Sequence, residues 1–553
     1  MADIPSACGW VVHFNDFAGQ GPEDFPSFYK TAMDALLKEI GDRRGRRLGE
    51  SLKEQERFRT QYWKEKDYFL PQRLEWRARM ARHLFHLFPN ESILEIGCSS
   101  GQWTKKISES NGHTNKICAA TFDKADYEQM LQDRVPENIE PVLLEAFPGT
   151  LAGRQFDYVV GWNLLTDGNC GPLLLEVKKL LKPGGRLLFF DANPWNPYYI
   201  LRRFFSRAVS YVLKKREEGN SLNRIDLFTI LSEVGYTGIK ILPYDFVYPP
   251  IPRLLLWPLQ NLSLIFENFP FVRNFAGALY IFAQKPPVEG FRKKLPNLAT
   301  HKIFKEKVSV VVPCRNEEDN IPSLVENLLA CYGDYIHEII LVDDNSHDQT
   351  AGIVTSLGKK DSRIRLVRRT MPNGVGRALR DGFDAVTGDY VLMMDCDFQH
   401  IMPELTGLFD AVAEGADVAI GSRFSRDSVL LNYAFTKILA NRGFHIIANL
   451  LLGKHFRDAT NNLKLMKREV LDTIHLESND FAANAETGLQ PILLGYNVRE
   501  VPVSWINRSV DMGFSSFNLF STGPNYLRVL VRLIGRKWRG KAITLPKNQE
   551  KSN

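Results

Sequence analysis

VSVVVPCRNEEDNI, residues 308–321, opens with β-branched residues and closes on Pro313, Asn316 and Glu317. A run that apolar is a strand buried on both faces, and the polar residues after it form the loop at its carboxyl end. The pattern returns in EIILVDDNSHDQT, residues 338–350, where Asp343 and Asp344 close the run, and again in IRLVRR, YVLMMD and DVAIGS. Strands spaced by helix-length segments predict a parallel α/β sheet, with a ligand crevice along the carboxyl ends of its strands. An earlier alternation, SILEIG, KICAATF, PVLLE, FDYVVGW, RLLFFD, GIKILP and ALYIFAQ, lies between Ser92 and Gln284. The chain is therefore expected to hold two α/β domains, at 81–285 and 307–525. Around them lie a charged helical extension at 1–80, a linker at 286–306 and a basic tail at 526–553. The extension, with GDRRGRRLGESLKEQERFRTQYWKEKDY at 41–68, is expected to be solvated.

Length and composition agree with two cores. At 553 residues the chain exceeds what one core supports, and 44% hydrophobic with 24% charged residues describes a globular protein. A net charge of +6 is mild and implies no nucleic-acid partner. The seven cysteines are scattered without a CxxC pair, which predicts reduced thiols and a cytoplasmic location. The first residues have no signal-peptide pattern. PRLLLWPLQNLSLIFENFPF, residues 252–271, is broken by Pro258, Asn261, Glu267 and Pro270 before it reaches spanning length. This stretch and YAFTKILANRGFHIIANLLLGKHF, 433–456, leave two alternatives: ordinary packing, or peripheral contact with the cytoplasmic face of a membrane.

MMDCDFQHIMPE, residues 393–404, carries the chemistry of the second half. In an extended chain Asp395 and Asp397 share a face, and a divalent cation relieves their repulsion. Oxygen ligands suit Mg²⁺ or Mn²⁺, and Gln399 supplies a neutral third oxygen; the competing explanation is a solvated turn. Pro313, Asn316, Glu317 and Asp343 at neighbouring strand ends would line the place of a base and ribose, which makes a nucleotide-sugar site.

From residue 307 to about 520 the chain resembles the inverting family-2 glycosyltransferases of the GT-A fold, and within them the dolichol-phosphate mannose synthases and other polyprenol-phosphate glycosyltransferases. The family's D-x-D-x-Q-H-x-P-E is matched by Asp395, Asp397, Gln399, His400, Pro403 and Glu404, with one extra residue before the proline. GSRF gives Gly421, Ser422 and Arg423. RDATNNLK keeps Asp458 and Thr460 of D-x-T-S-G-F-R, with Asn461, Asn462 and Lys464 as departures. The resemblance implies a metal on Asp395, Asp397 and Gln399, and a GDP- or UDP-sugar held by Pro313, Asn316, Glu317, Asp343 and Asp395. It implies that Arg423, Arg442, Arg508 and Ser515 receive the phosphate of a polyprenyl carrier, with Asp397, Arg423 and Arg508 at the reaction centre. A glycan hydroxyl as acceptor would instead require a carboxylate base, for which Glu486 is the candidate, unless it is simply a surface glutamate of its helix.

In the first half, ILEIGCSSGQW at 93–103 ends a strand at Gly97 and turns into a helix through small residues, where a ligand can approach the backbone. Asp123, closing the next strand, is placed to bind ribose hydroxyls. Residues 81–285 resemble the class I S-adenosylmethionine-dependent methyltransferases, with a Rossmann-like seven-stranded sheet. Glu95, Gly97 and Gly101 match E-x-G-x-G-x-G, Ser99 replaces its middle glycine, and residues 181–185 match the late LKPGG turn. The resemblance implies S-adenosyl-L-methionine as cofactor, with Asp123 on the ribose and Glu145 beside the adenine. A bifunctional enzyme that also methylates an unidentified acceptor is then expected, the alternative being a non-catalytic binding module.

Overall fold

The computed structural model describes residues 45–60, 70–133, 135–197, 199–201, 222–246, 263, 266, 269–288, 294–396, 402–425, 428, 430–431, 435–506, 519–539 and 543. Two sheets of seven strands carry the fold. The first is built from β1 (Ser92–Ile96), β2 (Lys116–Thr121), β3 (Ile139–Leu143), β4 (Phe156–Trp162), β5 (Leu181–Ala192), β6 (Thr237–Tyr244) and β7 (Ala278–Gln284). Its order is β3-β2-β1-β4-β5-β7-β6. The second contains β8 (Val308–Cys314), β9 (Ile336–Asp343), β10 (Ile364–Arg368), β11 (Tyr390–Met393), β12 (Val418–Ser422), β14 (Lys464–Lys467) and β15 (Val498–Pro502), in the order β10-β9-β8-β11-β14-β12-β15. A short ladder pairs β13 (Leu430–Leu431) with β16 (Trp505–Ile506).

Both sheets are mixed, where the strand pattern predicts parallel ones. β7 is antiparallel to β5 and β6, and β14 is antiparallel to β11 and β12. An apolar run has no direction of its own; the connection between strands sets it. The antiparallel β14 nonetheless serves the crevice of the second sheet, because its start lies level with the end of β11, Lys464 opposite Met393.

The expected borders also shift. The helix Leu70–Phe85 runs across residue 80, and Leu74, Ala78, Ala81 and Phe85 join Trp103, Ile117 and Phe190 in one core of the first sheet. Residues 45–60 are helical as predicted, but their inner face is not solvated: Leu48, Leu52, Glu56 and Arg59 are all buried. These four fall at i, i+4, i+8 and i+11, a single helical stripe in which two charges take positions usually held by apolar residues. The linker contributes Leu298 and Phe304 to the second core, beside Tyr332, Tyr335 and Phe409. The expected basic tail begins inside a helix, Leu519–Trp538, whose Val529, Leu530, Leu533 and Ile534 pack on Phe444, Ala448, Ala485 and Leu489.

Among the described residues no helix is long and apolar enough to cross a membrane. Most of the 252–271 stretch lies outside them. The six described cysteines are buried.

Candidate active site

The carboxyl ends of β8, β9, β11 and β12, with the start of β14, form one edge of the second sheet. Pro313, the penultimate residue of β8, lies opposite Val342 of β9. Asn316 adopts a positive φ of 55°, a conformation its short amide tolerates. Its Oδ1 accepts from His347 N at 2.9 Å, and its own N–H donates to Ser346 Oγ at 2.9 Å, so the two strand-end loops are laced together. Glu317 N donates to Thr350 Oγ1 at 2.9 Å, and Asn320 Nδ2 donates to Glu317 Oε2 at 2.6 Å. Asp343 Oδ1 accepts from Ser346 N at 3.0 Å, while Oδ2 is buried without a protein partner. Asp344, beside it, is paired with Arg369 and accepts from Gly374 N at 2.7 Å.

Asp395 follows β11, and its Oδ1 accepts from Asn462 Nδ2 at 2.8 Å. Asn462 is one of the departures noted in the sequence, and here it steadies the first aspartate of DxD. Asp397, Gln399, Arg508 and Ser515 lie outside the described residues.

Arg423, just past β12, is gripped by Asp458 through its backbone N at 3.0 Å, Nε at 2.7 Å and Nη2 at 2.8 Å. Asp458 is fully buried; desolvation pushes its carboxyl up, but Arg423 outweighs that and holds it below the ordinary carboxylate value. Trp505 lies under the Arg423 guanidinium at 5.1 Å. From the helix Phe435–Leu452, Asn441 Nδ2 reaches Asp458 Oδ1 at 3.2 Å. His445 accepts from Ala459 N through Nε2 at 2.9 Å and turns Nδ1 to Asn441 O at 2.8 Å, which makes Nδ1 the protonated nitrogen. Glu500 accepts from Asp458 N at 2.6 Å. Lys464 Nζ bonds the carbonyls of Asn461 and Asn484; burial lowers it to about 7, against the pull of Asp458 and Asp395. Arg442 donates to Arg457 O, the residue before Arg423's aspartate, at 3.2 Å and stacks on Phe424 at 5.6 Å.

Sequence reasoning found Arg423 and Asp458 but missed His445, Asn441 and Glu500. His445 and Glu500 act through the backbone of 457–459 and Asn441 through the Asp458 side chain, and no motif spacing marks such roles. Glu486 also differs from its surface alternative, being fully buried. It accepts from Glu477 N and Ser478 N at 3.0 Å each, from Ser478 Oγ at 3.0 Å, and from Arg532. Its carboxylate ties the Leu519–Trp538 helix to the rest of the unit.

The first sheet presents its expected residues at one edge as well. Glu95 is buried in β1, with Oε2 accepting from Thr104 Oγ1 at 2.6 Å and Oε1 unpaired; burial pushes its carboxyl up to about 8. Gly97, Ser99 and Gly101 all take positive φ in the turn that follows. Asp123 caps the helix Lys124–Gln132 through Ala125 N, and Glu145 sits exposed beyond β3. On all of these lies the 45–60 helix. Glu56 accepts from Ser99 N at 2.7 Å, Phe122 N at 2.8 Å and Thr121 Oγ1 at 3.0 Å. Arg59 donates to Gly97 O, to Trp162 O at 2.8 Å and to Ser99 Oγ at 2.7 Å. Arg57 pairs with Asp123 at 3.1 Å. With the helix in place, Gly97 O, Ser99 and Asp123 of the groups named for S-adenosylmethionine are bonded by its side chains, so the cofactor does not fit this crevice as it stands.

With this geometry in view, the relatives can be compared. Residues 309–474 match Glycosyl transferase family 2. The polyprenol monophosphomannose synthase of Mycolicibacterium smegmatis is 32% identical over 215 residues, which span 37% of this chain and 80% of that protein. The dolichol-phosphate mannosyltransferase of Pyrococcus furiosus is 29% identical over 240 residues, 42% of this chain and 65% of that one. Among solved structures, glucosyl-3-phosphoglycerate synthase from Mycobacterium tuberculosis, in complex with Mn²⁺ and UDP-glucose, matches 44% of this chain and 80% of its own at 18% identity and a TM-score of 0.31. The chain belongs to glycosyl transferase family 2. Its second half is a glycosyltransferase; these relatives give no support to methyl transfer by the first.

Proposed function

We propose that the second half transfers a sugar, mannose being the first candidate, from a nucleotide-sugar to the phosphate of a polyprenyl carrier. One observation carries the choice of acceptor. The helix Phe435–Leu452 holds the Arg423–Asp458 pair through Asn441 and, through His445, the backbone next to it, while Leu439, Ile446, Ile447 and Leu450 on the same helix are exposed. A fixed cation beside an exposed apolar surface suits a molecule with a phosphate head and a hydrocarbon tail, met at the face of a membrane. The relatives' names point the same way.

The acceptor phosphate is anionic near neutral pH and attacks the anomeric carbon without a general base. The protein's task is then to hold the nucleophile in line, which Arg423 can do because Asp458 and Trp505 fix its guanidinium. Arg442, Arg508 and Ser515 complete the acceptor site in this reading. Glu486 favours it too, since a carboxylate with both oxygens bonded to its own chain has little freedom to remove a hydroxyl proton. Asp395, steadied by Asn462, would hold Mg²⁺ or Mn²⁺ together with Asp397 and Gln399, a donor set that fits a hard cation. Bound there, the metal would stabilise the leaving diphosphate. Pro313, Asn316, Glu317 and Asp343 would line the base and ribose, and the unpaired Asp343 Oδ2 is an acceptor ready for a ribose hydroxyl.

The test is to incubate the full chain with GDP- and UDP-sugars, Mg²⁺ or Mn²⁺, and polyprenyl phosphate in detergent. A single glycosyl phospholipid is expected, lost on Asp395→Ala and reduced at least a hundredfold on Arg423→Ala. If no lipid product forms while a glycan acceptor is glycosylated, and Glu486→Gln stops that reaction, the acceptor is a hydroxyl and the reading fails. We assign no methyl transfer to the first half in the state described.

A further inference from the structure

We propose that the 45–60 helix is a displaceable plug: it competes within the chain for the ligand crevice of the first sheet, a crevice suited to a nucleoside that carries a zwitterionic amino-acid end, such as S-adenosylmethionine. The proposal rests on the helix meeting every station of that crevice at once. At the β3 end, Gly45 and Gly49 lie against the backbone of Glu145–Phe147, so close that a Cβ on Gly49 would stand 2.9 Å from Ala146 Cα and 3.1 Å from Glu145 O. At the β2 end, Arg57 takes Asp123, the residue assigned to ribose. Between the β1 and β2 ends, the Glu56 carboxylate collects the donors Ser99 N, Phe122 N and Thr121 Oγ1. Arg59 meanwhile places a cation on the carbonyls of Gly97 and Trp162, 4.5 Å above the Trp162 ring. A carboxylate and a cation on one small patch are what the amino-acid end of such a ligand would bring.

Several features make the helix removable. Its described apolar hold is confined to Leu48 and Leu52, both in the core of the first sheet. Arg46, Arg47, Glu50, Glu54, Arg57 and Phe58 on its other sides are exposed. The charged pair is almost fully buried, and its fit is incomplete, because Arg59 Nε and Glu95 Oε1 are buried with no partner. Unpaired buried groups oppose the closed state, and a ligand that satisfied them would gain by replacing the helix.

The experiment titrates the full chain with S-adenosylhomocysteine by calorimetry and follows amide hydrogen exchange of residues 45–60. Two variants free the crevice by different routes: Gly49→Val pushes the helix off the Glu145–Phe147 backbone without touching a polar group, and Glu56→Gln combined with Arg59→Met removes the charged pair. Thermal melts establish that each variant is folded. Both variants are expected to bind at least tenfold more tightly than the wild type, and saturating ligand is expected to raise exchange of 45–60 in the wild type. Equal affinity for all three proteins, with 45–60 still protected at saturation, would overturn the proposal by showing that the helix is not in the ligand's way. If no protein binds although 45–60 exchanges freely in Gly49→Val, the crevice takes no such nucleoside and the proposal is overturned on that ground. Neither failure touches the glycosyltransferase reading, which is assayed separately.

Discussion

At the edge of the first sheet the buried ion pair, Glu56 with Arg59, comes from a helix that precedes the sheet. At the edge of the second, Arg423 with Asp458 and Arg369 with Asp344 join residues of the strand ends and their own loops. Both arrangements place a guanidinium and a carboxylate where a doubly wound sheet receives ligands. Only in the first do the charges belong to a separable segment. A charge that arrives on a removable helix can give way to a ligand, whereas one locked into the loops that shape the crevice can only receive it.

The largest effect that would break this contrast is expected from Asp458→Ala. It takes the buried carboxylate away from Arg423, whose side chain is 11% exposed, and strips an acceptor from Asn441. A loss of about 3–5 kcal/mol in the second half's unfolding free energy is expected, together with loss of transfer; denaturant unfolding and the lipid assay check both. A change under 1 kcal/mol would mean that the second pair is as dispensable as the first is proposed to be.

Stability against pH sharpens the comparison, because the two edges should slope oppositely. In the first, burial raises Glu95 and Asp191 to about 8 from ordinary values of 4.5 and 3.8. The native state therefore keeps protons that the unfolded chain has released, and stability is lost as pH rises from about 4 through 8. In the second, Lys464 is lowered to about 7 from 10.5, so the unfolded chain holds the extra proton, and stability is gained as pH rises from 7 toward 10.5. Unfolding followed separately for each half between pH 6 and 9.5 should show the opposite signs, and Glu95→Gln and Lys464→Met should each flatten one slope, by on the order of 2 kcal/mol.

The smallest effect is expected from Arg57→Ala. Arg57 is 64% exposed, and its pair with Asp123 should contribute less than about 0.5 kcal/mol. A larger loss would show that the ribose station is the plug's main anchor.

Strand ends were legible in the sequence for a simple reason. Strands buried on both faces must be apolar throughout, so the polar residues that close each run, Asn316, Asp343, Asp395 and Asp123 among them, mark the crevice directly. Glycine at 97 and 101 was legible in the same way, since the turn there needs positive φ. Lys464 was visible as a departure from the family's arginine, yet its burial between the Asn461 and Asn484 carbonyls was not.

The sequence by itself determined two α/β units, the order of their strands along the chain, and the acidic and basic residues that gather at the strand ends. Local periodicity and turn chemistry suffice for these. Only the tertiary structure decided which strands run antiparallel, that Arg532 ties onto the buried Glu486, and that Glu56 and Arg59 fill the first crevice. A charged residue on a helix looks the same in sequence whether it faces water or the end of a sheet. Its partners, Ser99 and Phe122 for Glu56 and Trp162 for Arg59, lie 43, 66 and 103 positions away, beyond the reach of any local pattern.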